Sequence, residues 1–144
     1  MISAEINVHV LCNRWVARFP PDLEQRCDAA ARVALSDERG SFELSVVLVD
    51  DAYMRGLNST YRKVDAPTNV LAFPCIEIEH PYSAESRSHN IGDIFIAYET
   101  TLAEVGDETS ASKLTDHLAH LIVHGTLHLL GYDHETESEA AKME

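Results

Sequence analysis

Basic residues are scarce in this chain of 144 residues. Eleven Lys and Arg stand against 24 Asp and Glu, a net charge of −13, which argues against a surface built to attract polyanions as a whole. A nucleic-acid ligand then requires basic groups gathered locally, because global charge speaks to solubility and steering more than to what one cleft binds. Cysteine is scarce as well. Cys12, Cys27 and Cys75 are odd in number, far apart and without a C-x-x-C pair, so a reduced, cytoplasmic protein is expected. No apolar run approaches the ~20 residues of a membrane span. The opening residues MISAEINVHV lack the basic start and apolar block of a signal peptide. Repeats and low-complexity segments are missing too. What remains, 45% hydrophobic and 24% charged residues, is the composition of one globular domain over residues 1–144, long enough for a core.

Residues 2–11 read as a first strand with Ile6, Val8 and Val10 on one face. Pro20, Pro21 and Asp22 start a helix in which Asp22 and Gln25 resemble a capping box. Its apolar stripe is Leu23, Cys27, Ala30, Ala31 and Ala34. Residues 42–49 alternate most clearly, with Phe42, Leu44, Val46 and Leu48 on one side. Asp50 and Asp51 cap a short helix that ends near Leu57, and residues 58–68 turn polar and irregular. Residues 70–73 and 76–78 form a strand broken at Pro74, which predicts a sheet edge. A loop over 79–90, a strand over 94–98 and a short helix around 100–105 follow. A long helix spans about 110–130, and Thr136 with Glu139 opens a last one. The pattern predicts an α+β domain, a small mixed four-stranded sheet packed with helices.

His124, His128 and His134 stand in the run HGTLHLLGYDH, the first two four residues apart in a helix-forming stretch. Four residues return a helix to nearly the same face about 6 Å further along. Gly131 can end that helix and turn the chain so that His134 closes a third side. Three protein ligands with an open fourth position are what a catalytic zinc needs, whereas a structural zinc is usually closed by four. The spacing is that of H-E-x-x-H-x-x-G-x-x-H in one branch of zinc peptidases. Gly125, however, replaces the Glu that acts there as general base. Histidines on a helix face by chance are the bland alternative, and the Gly turn with a third His weighs against it. Gly costs roughly 1 kcal/mol against Ala inside a helix, so a close backbone neighbour is expected at Gly125.

His120 continues the same face, but three successive turns cannot all reach one ion. It is left to support the ligands or to pack, and His117 is expected at the surface. Asp133 reads equally well as a carboxylate that orients an imidazole and as a turn residue. Neutral imidazoles leave an ion its full charge, and zinc so held brings the pKa of its water to about 7. Nickel, copper or iron would suit three imidazoles as well. Without the Glu to protonate an amide leaving group, the chemistry leans toward phosphate esters. Arg62 fits that direction, with Lys63 beside it and Asp65, Thr68 and Asn69 close behind. Its planar fork pairs with phosphate oxygens and stabilises charge developing on them. From composition alone a solvated surface Arg is the commoner fate.

Three blocks carry a resemblance. LNSTYRKVDAPTNVLAFP (57–74), IGDIFIA (91–97) and HLIVHGTLHLLGYDH (120–134) resemble, in order and over most of the chain, signature blocks of the YbeY family. These are bacterial metal-dependent endoribonucleases of ribosomal RNA maturation. The resemblance implies that His124, His128 and His134 bind one zinc ion and that Arg62 contributes to catalysis on RNA. It further implies single-strand-preferring cleavage, maturation of the 3′ end of 16S rRNA and a part in ribosome quality control. RNA and the ribosome or its proteins are the implied partners, with no membrane. His120, Lys63, Asp133 and Asn69 are the further candidates for supporting the ligands or binding substrate. Two departures stand out: Ala72 occupies a position where the family usually has Ser, and the chain stops at Glu144, early in a helix that relatives usually carry further. The rival readings are a metallohydrolase of peptides or small amides, and a non-catalytic ribosome-assembly factor with a structural zinc.

Overall fold

The computed structural model describes residues 2–18, 22–36, 40–74, 89–106 and 111–131. In chain order the elements are β1 (Ile2–Val10), α1 (Arg14–Arg18), α2 (Leu23–Leu35), β2 (Gly40–Val49), α3 (Asp51–Arg62), β3 (Val70–Pro74), β4 (His89–Ala97), α4 (Tyr98–Val105) and α5 (Ala111–Leu129). The strands form one sheet in the order β1-β2-β4-β3. Neighbours β1/β2 and β2/β4 run parallel, and β3 closes the sheet antiparallel to β4. This is the expected α+β fold with a mixed four-stranded sheet.

Alternation in β2 decides how the layers stack. Phe42, Leu44, Val46 and Leu48 face a core shared with Leu23, Cys27 and Leu35 of α2 and Leu114, Leu118 and Ile122 of α5. Val47 and Val49 face the other side, where Met54 of α3 meets Leu71 and Ala97. With both faces covered, the end of β2 is apolar without a break. Each fully buried Leu or Val contributes about 1.5–3 kcal/mol relative to an exposed one. The α2 stripe closes on Leu35 rather than on Ala34, which stays half-buried. Burial among these side chains also pushes the Cys27 thiol up to about 12, so it is not a nucleophile at neutral pH.

Several boundaries differ from the sequence expectation, each for a physical reason. Two helices, not one, join β1 to β2. The short α1 is pinned from outside itself: Trp15 is fully buried, donates from Nε1 to the Val49 carbonyl at 3.0 Å and packs edge-on against Tyr98. No capping box forms at Asp22, whose carboxylate takes the Arg26 Nε–H instead of a backbone donor. Asp50 does cap α3, accepting from the Tyr53 N–H at 2.8 Å. That helix continues to Arg62 rather than stopping near Leu57, because Met54 and Asn58 extend its buried stripe one more turn. Strand β4 begins at His89, inside the expected loop, and Tyr98 belongs to α4. Proline-terminated β3 is the edge strand, as expected. The strand expectation for 76–78 and the Thr136/Glu139 capping box lie outside the described residues.

Glycine is required at Gly92. Its φ of +135° lies in the left-handed range, and an added Cβ would meet the Phe73 carbonyl oxygen at 2.1 Å. The β2/β4 register slips at this point, Glu43 pairing Asn90 and Leu44 pairing Gly92, so Ile91 is the extra residue of a bulge.

Candidate active-site cleft

Helix α5 builds one wall of the site from two adjacent stripes. Leu114, Leu118, Leu121, Ile122, Gly125 and Thr126 are buried against the sheet and α2. Beside them, His117, His120, His124 and His128 follow at steps of three and four residues and so share a neighbouring face. All four line a cleft of about 840 Å³ whose other walls include Arg62, Thr68, Asn69, Val70, Ala72, Thr100 and Glu104. The rings of His117 and His120 lie 6.4 Å apart and those of His120 and His124 6.3 Å apart, so these three imidazoles form a file.

The helix can carry this file close to the sheet because of Gly125. A Cβ there would lie 3.0 Å from Ile94 Cγ2 and 3.3 Å from two further Ile94 atoms. The close neighbour is thus a side chain, not the backbone expected. Gly131 adopts φ +93° just past the helix and donates its N–H to the His128 carbonyl at 3.1 Å, the glycine stop expected of it.

Arg62 reaches the cleft from the last turn of α3. Lys63 follows in the left-handed conformation at φ 60°, which costs a non-glycine residue roughly 1 kcal/mol or more. Asn58 compensates: its carbonyl accepts from the Lys63 and Val64 N–H groups, and its Nδ2 donates to the Ala66 carbonyl at 2.7 Å. Arg55 holds the same loop through two bonds to Asp65, 2.6 and 3.0 Å long. These bonds keep the Asp65 carboxyl below the usual range.

The opposite wall is polar and cross-linked. Asn69 Nδ2 donates to both Glu104 oxygens at 3.1 Å, while its Oδ1 accepts from the Val70 N–H. Glu104 Oε1 also lies 2.8 Å from His117 Nε2. A second clamp fixes α3 against α4. Asp51 accepts from the Thr100 N–H and hydroxyl, and Glu99 accepts from the Asp51 N–H. Burial raises the Glu99 carboxyl, but Arg14 at 2.7 Å and the Asp51 N–H outweigh it and hold the group below its ordinary value.

The cleft therefore joins Arg62, Asn69, His120, His124 and His128 from distant parts of the chain. Lys63 is not among its walls; its Nζ folds back onto the Thr60 carbonyl at 3.4 Å. His117, expected at the surface, is half-buried and paired, whereas His120 is the more exposed of the two. Ala72 lines the cleft, so the hydroxyl that a Ser would bring is missing from the site itself. His134 and Asp133 lie outside the described residues, and among the described residues no three metal-ligating side chains gather. The donor set still suits a metal ion: two imidazoles one helical turn apart on a solvent-facing wall. Glu104 and Asn58 had escaped sequence reading. Asn58 was detectable in principle, four residues after the buried Met54 on the same helix face.

Known proteins share both sequence and fold with this chain. The sequence profile of the family Endoribonuclease YbeY matches residues 13–144. The protein of that name from Paramagnetospirillum magneticum is 43% identical over 99% of this chain and 87% of its own length. Its namesake from Rhodopseudomonas palustris strain BisA53 is 48% identical over 95% of this chain and 78% of its own. The solution structure of TM1509 from Thermotoga maritima superposes with a TM-score of 0.55 at 24% identity, covering 96% of this chain and 84% of that one. The structural likeness speaks to the fold alone, and the sequence match goes further: this chain is a member of the YbeY endoribonuclease family.

Proposed function

We propose that this protein is a metal-dependent endoribonuclease whose catalytic centre is the cleft between α5 and the Arg62 end of α3. One observation carries the reading: a single cavity brings Arg62 to His124 and His128. His124, His128 and His134 would hold one ion, zinc by preference for imidazole donors. When bound, the ion supplies positive charge and Lewis acidity at the scissile phosphate.

The rest of the work falls to the chain. Arg62 binds non-bridging phosphate oxygens through its fork and opposes the charge that builds on them in the transition state. The Lys63 turn and the Asn58 bonds set where that guanidinium stands. His120 packs against His124 and restricts its ring. Asn69 and Glu104 satisfy each other, so their part is to shape the wall and keep His117 oriented rather than to bind phosphate. The finer assignment follows family likeness: single-stranded regions of ribosomal RNA as substrate, the 3′ end of 16S rRNA as the maturation site, and ribosome quality control in the cytoplasm with the ribosome as partner. No helix among the described residues is long and apolar enough to cross a membrane.

The decisive pair of variants separates chemistry from metal. Arg62→Ala should abolish RNA cleavage with metal content unchanged, whereas His128→Ala should lose both. Metal loss in Arg62→Ala would make that residue structural. End-group analysis of the products then distinguishes attack by the RNA 2′-hydroxyl, which leaves a cyclic phosphate, from attack by water.

A further inference from the structure

Tyr61 is 65% exposed, the largest exposure among the big hydrophobic side chains of the described residues. It is nevertheless braced. Its ring stands edge-on to Phe73 at 5.1 Å, Phe73 stands edge-on to Phe95 at 5.6 Å, and Phe95 stacks on Tyr53 at 6.1 Å. A row of four rings thus runs from Tyr53 of α3 over Phe95 of β4 and Phe73 of β3 and returns to α3 at Tyr61. The next residue is Arg62, a wall of the cleft, and successive helical residues leave the axis about 100° apart.

We propose that Tyr61 is the stacking platform for an unpaired base of the RNA whose phosphate Arg62 engages. The proposal rests on the endoribonuclease reading and adds a substrate contact to it. Charge favours such a contact. With 11 basic residues and a net charge of −13, this chain has few phosphate contacts available to hold a polyanion. Every base has a π-face, so stacking needs neither charge nor a particular sequence. It also requires a base out of a duplex, which makes Tyr61 a filter for single strands. The bracing matters because a ring already fixed by Phe73 loses little freedom when a base settles on it.

The alternative is that Tyr61 merely covers Phe73, which a leucine would do as well. Tyr61→Ala, Tyr61→Leu and Tyr61→Phe are compared for KM and kcat on a short single-stranded oligoribonucleotide, and for Kd by anisotropy of the same fluorescein-labelled RNA. Stacking predicts that Ala and Leu both raise KM and Kd by roughly five- to 150-fold, with kcat retained, and that Phe matches the wild type. Val33→Ala, 64% exposed on α2 and outside both the ring row and the cleft walls, should leave KM unchanged. Wild-type KM in the Leu or Ala variant, or an equal loss at Val33, would overturn the proposal. A wild type that cuts no RNA would remove the endoribonuclease reading alone, since the Kd series still decides whether Tyr61 stacks.

Discussion

Two helical glycines offer a matched test of how tightly α5 is held to the sheet. A methyl added at Gly56 in α3 would meet nothing within 4 Å, whereas one at Gly125 would meet Ile94 at 3.0 Å. Replacing either by Ala gains the same helix propensity, about 1 kcal/mol. For Gly56→Ala nothing opposes the gain, and in a domain of this size about 1 kcal/mol raises Tm by roughly 3–4 °C. For Gly125→Ala three atoms of Ile94 press on the new methyl at 3.0, 3.3 and 3.3 Å. Ile94 is fully buried and cannot swing away. Overpacking of this kind costs about 1–3 kcal/mol, so the net change is about 0–2 kcal/mol unfavourable. The two variants should differ by about 1–3 kcal/mol, the size of the Ile94 clash. Urea unfolding with a common m value measures it directly. In an Ile94→Ala background the penalty at residue 125 should vanish, a coupling of about 1–3 kcal/mol. If Gly125→Ala stabilises the protein as much as Gly56→Ala does, the close approach of α5 to β4 is wrong.

Two further outcomes follow from the clamps around the cleft. The folded Glu99 carboxyl lies below its ordinary value of 4.5, so its stabilising effect is full above that pH and is lost as pH falls through the lower folded value. Glu99→Gln should therefore flatten the acid side of the Tm-versus-pH curve below about 4.5, and an unchanged slope there would remove Glu99 from that role. Asn58→Ala frees the Ala66 carbonyl and opens a small void. It should cost about 1–3 kcal/mol by thermal melt and lower kcat more than metal content, because the turn after Arg62 keeps the two bonds to the residue 58 carbonyl but loses the side-chain tie to Ala66. Full activity in that variant would show that the turn holds without the Asn58 side chain.

Periodicity made the sheet and the long histidine helix legible, because both bury a regular face. The alternation of Phe42, Leu44, Val46 and Leu48 needed no tertiary knowledge, nor did the glycine stop at Gly131. Elements whose stability comes from elsewhere were hidden. Trp15 fixes α1 through a carbonyl 34 positions away, and no local pattern encodes that bond. The Ser and Thr of α3's last turns read as loop because they face solvent while Met54 and Asn58 do the burying. Within the site, the imidazole spacing pointed to α5, yet the Glu104–His117 pair depended on how α4 lies beside α5. Gly125 read as a lost catalytic base. In the structure its missing side chain belongs to the contact with Ile94, so steric fit explains that position without reference to a peptidase.

The crossed hydrogen bonds of Asp51 and Glu99 bear on how the protein breathes. Each carboxylate satisfies the first amides of the other's helix, so neither helix can fray at its start without stripping acceptors from its neighbour. Opening becomes a joint event, and amide protection at Asp51 and Thr100 should report one shared opening free energy. Arg62 lies at the far end of α3, 11 residues or roughly 17 Å along the axis from that junction. The Arg62 end carries ties of its own, from Asn58 to Lys63, Val64 and Ala66, so α3 is fastened at both ends and the guanidinium keeps its place when the start of the helix opens.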